Sequence, residues 1–209
     1  MIFNKEYFDK LFENSDPWKY RASEYEKIKY TRQINAIRKY FPRPKKILEI
    51  GSAEGLHTQM LAKTFPKAEI VTVEISHNAI SRAKKIIKVY RNVKFIEADI
   101  AELVKQDVLP EKEFDVIIQS ESLYYLFTKL IIQMNLVNYF RTLIKTLKIK
   151  GIFVTSNGYG IPTKGIMEVY YMILSSLSIP IYKSKYKDWN ELKKKYMTYD
   201  LRVFRRNKD

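Results

Sequence analysis

Ile47-Leu48-Glu49-Ile50-Gly51-Ser52-Ala53-Glu54-Gly55 is a short apolar run that breaks at a glycine turn and opens into a segment with helical spacing. A strand that feeds a helix through such a turn is the unit of an open α/β sheet, and ligands bind beyond the carboxyl ends of its strands. Glycine permits the tight turn and a close backbone approach. A dinucleotide fingerprint, G-x-G-x-x-G/A, needs its second and third small residues at positions 53 and 56. Ala53 and Leu56 stand there, which weakens a pyrophosphate-binding reading and with it that of a nicotinamide-linked reductase.

Outward from this segment, short β-rich runs alternate with helical stretches, the rhythm of a mostly parallel sheet with helices on both faces. Strands are expected at Lys46–Ile50, Glu69–Ile75, Val93–Ala98, Phe114–Gln119 and Ile152–Ser156, with helices at about 56–65, 77–90 and 127–148. A helix near 165–178 leads to an apolar run at 179–182, and Tyr199–Arg205 alternates like a last strand, which makes seven. Upstream, residues 3–14 and 23–41 read as helices. The second opens with a capping box, Ser23 and Glu26, and stops at Pro42 and Pro44. Between them lies the aromatic loop Asp16-Pro17-Trp18-Lys19-Tyr20. With 209 residues the chain fits one domain. Residues 1–44 read as a helical lid or cap and 45–209 as the main domain, with a ligand half at 45–120 and a substrate-side half at 121–209.

The strand ends carry acids. Glu74 follows Gly51 by 23 residues, near the spacing of roughly 20 at which a carboxylate reaches both ribose hydroxyls of a bound nucleotide. Glu97-Ala98-Asp99-Ile100 closes the third strand. Together with Glu49, acids stand in order at the ends of the first three strands. The segment at 49–55 resembles motif I of the class I methyltransferases, E/D-x-G-x-x-x-G, and seven strands in this rhythm match the sheet of that family, whose last two strands usually form a hairpin. The resemblance implies S-adenosylmethionine as cofactor and S-adenosylhomocysteine as product. It implies Glu49 on the methionine amino group, Gly51 and Gly55 making room for the cofactor, Asp99 on the adenine amino group and Ile100 against the ring. Ser52, Ile75 beside Glu74, and Ser120 complete the expected cofactor set. A sulfonium cofactor carries no phosphates, which suits an acid in the turn.

Strand four ends in Gln119-Ser120-Glu121-Ser122-Leu123-Tyr124-Tyr125, where that family places residues near the transferable methyl. The string is not N/D-P-P-Y/W, which argues against the usual amino-methylation of DNA bases, and the lack of cysteine excludes the usual route to carbon-5 of cytosine. The S-E-x-L-Y-Y string and D-P-W-x-Y-x-x-S-x-Y-E-x-x-K-Y at 16–30 resemble the nodulation protein S family of N-methyltransferases, which methylate an amino sugar. That resemblance spans roughly residues 8–160; the last fifty residues match poorly. It implies a small-molecule or sugar acceptor methylated on nitrogen or oxygen. Glu121 is the candidate to orient or deprotonate an acceptor nitrogen; alternatively it caps the next helix or pairs with a lysine. Trp18, Tyr20, Tyr25 and Tyr30, with Tyr124 and Tyr125, are candidates for a lid and a stacking wall, or for plain packing of a helix on the sheet. His57 stands at the start of a helix, where a histidine is as readily structural.

Net charge is +15, but residues 1–46 hold 12 Lys or Arg against 6 acids and 182–209 hold 10 against 4, while 47–120 hold 10 against 11. The basic excess thus lies outside the expected cofactor half, and it suits solubility or an anionic substrate or nucleic-acid surface. An RNA methyltransferase or a basic nucleic-acid-binding protein is the rival reading. No RNA-binding signature is appended, and the charge is not interleaved in one stripe. Two histidines and no cysteine make a metal site improbable. The absence of cysteine permits a reducing cytoplasm, and Asn4, Lys5 and Glu6 after two apolar residues do not read as a signal peptide. A cytoplasmic enzyme with no membrane span is therefore expected.

Overall fold

The computed structural model describes residues 3–126 and 135–207. Seven strands form one sheet in the order β3-β2-β1-β4-β5-β7-β6. They are β1 Lys46–Ile50, β2 Glu69–Glu74, β3 Val93–Glu97, β4 Phe114–Ser120, β5 Leu147–Gly158, β6 Ile179–Asn190 and β7 Lys195–Arg205. Strands β1 to β5 pair in parallel, and β7 runs antiparallel to both β5 and β6. The helices are α1 Lys5–Leu11, α2 Glu24–Tyr40, α3 Leu56–Thr64, α4 His77–Ile87, α5 Ile100–Lys105, α6 Leu136–Thr146 and α7 Ile161–Leu177.

Side chains on a strand alternate between faces, and β1 shows how that builds a three-layer fold. Leu48 and Ile50 point into a core with Ile117, Phe140, Phe153, Tyr170 and Leu174, which brings in α6 and α7. Ile47 points the other way, to Ile34 and Ile37 of α2, Leu61 of α3 and Ile70, Val116 and Ile152 of the sheet. Burying each such aliphatic side chain contributes about 1.5–3 kcal/mol. The second helix is therefore part of the core rather than a cap. Helix α1 and the loop up to Tyr20 overlie the carboxyl edge of the sheet, and α2 reaches it through Lys29, Tyr30 and Gln33.

That edge is flush. Ile50 pairs with Val73 on one side and Gln119 on the other, Glu74 pairs with Glu97, and Ser120 with Ser156. Four parallel strands thus present their last residues, Glu74 and Glu97 among them, along one line, with Glu49 one residue before the end of β1.

Three differences from the sequence expectation have physical reasons. Strand β5 begins at Leu147, because Leu147 already pairs with Phe114 before a register shift, and Lys148 to Lys150 hide that start in a polar stretch. Strand β6 extends to Asn190 although only 179–182 is apolar. It is the sheet edge, where alternating Lys183, Lys185 and Lys187 are what an unpaired edge carries. Short α5, capped by the Asp99 side chain accepting from Ala101 N at 2.8 Å, is too brief to give a periodic signal. Of the helix expected at 127–148, residues 127–134 lie outside the described residues. Among those described, no helix is long and apolar enough to cross a membrane.

Candidate active site

The glycine turn is built on positive φ angles at Gly51 (78°), Ala53 (48°) and Gly55 (81°). Ala53 sits in the left-handed region at some cost, and Glu74 repays it. One Glu74 carboxylate oxygen accepts from Ala53 N at 2.8 Å and the other from Ser76 N at 3.0 Å. Burial raises the Glu74 pKa, and those backbone donors offset part of the rise. A Cβ on Gly51 would meet Ser122 Cβ at 3.2 Å, at the cavity wall. Gly55 is different. A Cβ there would meet Ile87 Cδ1 at 2.7 Å and Ala83 Cβ at 3.0 Å, so its glycine seats α3 against α4. Gly55 is not among the residues that border the neighbouring cavity.

Above the turn a cavity encloses about 990 Å³, including the part open to solvent. Glu49, Gly51, Ser52, Glu74, Ile75, Asp99, Ile100, Ser120 and Glu121 all line it, as do Trp18, Tyr20, Tyr30 and Tyr125. Tyr25 and Tyr124 line a second cavity, of about 1790 Å³ on the same basis, beside the first. Trp18, Tyr20, Glu121 and Tyr125 border both, so they form the wall between them.

On the floor of the first cavity, Glu49 accepts from Thr58 Oγ1 at 2.5 Å and holds His57 Nδ1 at 3.0 Å. The imidazole stacks on Tyr30, with ring centres 4.6 Å apart. Three polar atoms here have no partner, Ser52 Oγ, Ser122 Oγ and His57 Nε2, and all three residues line the cavity. An unpaired buried polar atom costs about 1–3 kcal/mol, so these are waiting partners for a polar ligand. Among the described residues no Lys or Arg lines this cavity, which fits a ligand carrying an amino acid moiety better than one carrying phosphates.

Helix α1 and the Asp16–Tyr20 loop are clamped by residues the sequence reading did not single out. Buried Glu54 accepts from Asp16 N at 2.9 Å, Arg21 Nη2 at 2.7 Å and Arg82 Nη1 at 2.7 Å, and Arg82 also donates to the backbone carbonyls of Glu13 and Asn14. Trp18 stacks on Tyr20, ring centres 5.3 Å apart, with Phe12 edge-on to Trp18. Helix α1 reaches the strand ends through Lys5 to Glu97 at 2.6 Å and through Asp9, which accepts from Ser76 Oγ at 2.7 Å. Glu97 therefore serves the lid, while Asp99 lines the cavity.

In the dividing wall, Glu121 adopts a left-handed φ of 54°, a strained conformation for a non-glycine residue. Its carboxylate accepts from Lys29 Nζ at 2.8 Å, Tyr124 Oη at 3.0 Å and Gly158 N at 3.1 Å. Lys29 is 1% exposed and also lies 2.6 Å from Glu26 Oε2. Burial pulls the Lys29 pKa down, but Glu121 and Glu26 outweigh it and leave it above the usual lysine value. Burial raises Glu26, only partly offset by Lys29. Pairing of Glu121 with a lysine, one of the two structural alternatives, is thus present. The capping box is half formed: Ser23 Oγ accepts from Glu26 N, but the Glu26 carboxylate turns inward to Lys29 and Ser23 N donates to Tyr20 O instead; Glu191 from the β6–β7 turn accepts from Glu24 N. The signal for Lys29 was its place, with Gln33, on the stripe of α2 that also carries buried Ile37.

A glycine turn after β1, acids at the ends of neighbouring parallel strands and an antiparallel β6–β7 pair closing a seven-stranded sheet define a class I, S-adenosylmethionine-dependent type of methyltransferase. The profile of the methyltransferase domain matches residues 43–202, and the chain belongs to that family. Among solved structures, the N-methyltransferase NodS from Bradyrhizobium japonicum WM9, in complex with S-adenosyl-L-homocysteine, superposes with a TM-score of 0.77 at 20% identity, over 99% of this chain and 100% of that one. The 1,6-didemethyltoxoflavin-N1-methyltransferase of Burkholderia thailandensis, also holding S-adenosylhomocysteine, gives 0.73 at 13% identity over 98% and 87%. A malonyl-[acyl-carrier protein] O-methyltransferase of Priestia megaterium is 34% identical over 120 residues, 57% of this chain and 42% of that protein. One from Halalkalibacterium halodurans is 36% identical over 75 residues, 36% and 27% of the two chains. The chain thus matches less than half the length of these curated relatives.

Proposed function

We propose that this enzyme binds S-adenosylmethionine in the first cavity and transfers its methyl group across the shared wall to the nitrogen of a small acceptor held in the second. The bound cofactor supplies a methyl carbon already activated by a sulfonium. Glu49 and the unpaired Ser52, Ser122 and His57 hold the methionine end, Glu74 takes the ribose hydroxyls, and Asp99 with Ile100 takes the base. The lid of α1 and the Asp16–Tyr20 loop excludes water. Residues 45–120 serve chiefly the cofactor, and the second cavity draws on 17–29 and 121–198. A cysteine-free chain suits a reducing cytoplasm.

The chemistry asks for position more than for acid or base. With the cofactor bound, the acceptor nitrogen would take the methyl with its lone pair, neutral S-adenosylhomocysteine would be the leaving group, and the surplus proton on nitrogen would go to water. Glu121 already takes three donors. Of about four lone-pair sites on a carboxylate, little is left except to accept an N–H of the acceptor, so its task is to aim the nitrogen and stabilise its growing positive charge.

The observation that carries this reading is Glu121 itself, common to both cavities and held by Lys29, Tyr124 and Gly158 N. Two carboxylates beside the transfer point disfavour a carboxylate nucleophile, the acceptor of an O-methyltransferase acting on malonyl groups. Among the described residues no lysine or arginine lines the first cavity, and the tyrosine-lined second cavity suits a small acceptor. Incubation with methyl-labelled cofactor and fractionated extract identifies the acceptor. On it, Glu121→Gln keeps S-adenosylhomocysteine affinity within twofold and lowers turnover about 10²-fold, the scale of an active-site acid-base group. Equal turnover with a lowered melting temperature retires Glu121 from the mechanism.

A further inference from the structure

The two ends of the second cavity carry opposite charge. At its inner end, against the cofactor cavity, the carboxylates of Glu26 and Glu121 face one ammonium, Lys29, which leaves a formal excess of one negative charge. The cavity's solvent-exposed lining carries Lys19 from the N-terminal loop, Lys193 from the turn between β6 and β7, and Lys195 at the start of β7. These three lysines are exposed and form no ion pair among the described residues, and Lys193 lies near enough to the buried end to lower the Glu26 pKa. The neighbouring acid, Glu191, accepts from Glu24 N of α2 and offsets one of these charges, leaving a formal excess of two positive. Between the ends the walls are Tyr25, Tyr124, Tyr159 and Tyr196. These are flat surfaces with polar tips that leave the charge pattern unchanged.

A ligand that satisfies both ends is itself bipolar. We propose that the acceptor is an amine bearing an anionic group, a carboxylate or a phosphate, with the amine lodged at Glu121 and the anion at Lys19, Lys193 and Lys195. This rests on the assignment of the second cavity to the acceptor. It gives a role to the basic C-terminal segment that neither solubility nor the sheet edge requires at these positions. It also accounts for the orientation of the substrate: the acidic inner end draws the protonatable nitrogen toward the methyl and keeps the anion away from it.

The test is calorimetric titration of the enzyme saturated with S-adenosylhomocysteine. The probes are matched pairs, ethanolamine against O-phosphoethanolamine and benzylamine against 4-(aminomethyl)benzoate. In each pair the anionic amine binds at least tenfold more tightly, and raising salt from about 0.05 to 0.5 M shrinks the advantage, as screening of exposed lysines demands. The double variant Lys193→Glu, Lys195→Glu erases it while the affinity for S-adenosylhomocysteine stays put. Equal or weaker binding of the anionic member in both pairs, no binding of either member, or an advantage that survives charge reversal overturns the proposal. A protein that does not take up S-adenosylhomocysteine at all removes the methyltransferase reading beneath it, a failure seen in the first titration and distinct from the others.

Discussion

Glu74 shows how one side chain serves fold and ligand together. Its two oxygens fix Ala53 N in the strained turn and Ser76 N at the start of α4, and the same carboxylate faces the cavity. Replacement therefore has two costs. Glu74→Ala weakens S-adenosylhomocysteine binding more than tenfold, since it removes a charged acceptor whose hydrogen bonds are each worth about 1.5–3 kcal/mol. It also leaves two backbone donors unpaired, so the variant unfolds about 2 kcal/mol more easily. Glu74→Gln, which keeps an acceptor oxygen, loses the affinity with a smaller stability deficit. Calorimetry and urea denaturation of the two variants check the split; unchanged affinity in both would remove Glu74 from the ribose site. Glu49, Glu74 and Asp99 were legible in the sequence because each stands at a strand end, and period-two patterning finds strand ends. Glu26, Lys29 and Glu54 were not. Glu26 and Lys29 pair at i,i+3, but the Lys29 partner Glu121 lies 92 residues away just past β4 and the Glu54 partners Arg21 and Asp16 lie 33 and 38 residues away, separations at which no local pattern predicts pairing. Gly55 was legible as a turn glycine, but a sequence does not say whether the missing side chain leaves room for a ligand or for a helix.

Helix α1 has seven residues, none of them buried, far short of what an isolated helix needs to be stable. Its place over the strand ends depends on polar ties: Lys5 to Glu97 and Asp9, Ser76 and Asn78 to Asp9, and Arg82 to the carbonyls behind it. Asp9 has its pKa lowered because the Ser76 hydroxyl and Lys5 outweigh the effect of burial, and Glu97 has its pKa lowered by Lys5 first and His77 second. A depressed carboxyl pKa contributes stability that is present above the unfolded value and lost as the pH falls through the folded one. These groups are largely exposed, so the effect on global stability is small. The local effect is not. Amide exchange in α1 accelerates relative to that in β1 as the pH drops below about 4, after correction for intrinsic rates, and Asp9→Asn reproduces part of that opening at neutral pH. A constant protection ratio across that range would mean that apolar contacts of Phe8 and Phe12 alone hold the lid. At this scale the sequence placed both N-terminal helices and the aromatic loop but treated them as one lid. The apolar stripe of α2, with Ile34 and Ile37, is the feature that assigns it to the core instead.

Across the whole molecule, the order of elements and the closing hairpin were readable because β1, β2 and β4 are buried on both faces and show as apolar runs between helices. The length of β6 was not, since an edge strand facing water has no such run. The two cavities lie outside any sequence signal: their shared wall is made by Trp18 and Tyr20 folding back from the chain start onto Glu121 and Tyr125. The account's central claim is that the first cavity is built for a methionine-derived nucleoside and for no pyrophosphate. Thermal melting with S-adenosylhomocysteine and, separately, NAD tests it most directly. At a hundredfold excess over its dissociation constant, S-adenosylhomocysteine stabilises the native state by about 2.7 kcal/mol, a rise of roughly 5–10 °C for a chain of this size, and NAD leaves the midpoint where it was. A midpoint raised by NAD and unmoved by S-adenosylhomocysteine contradicts the account.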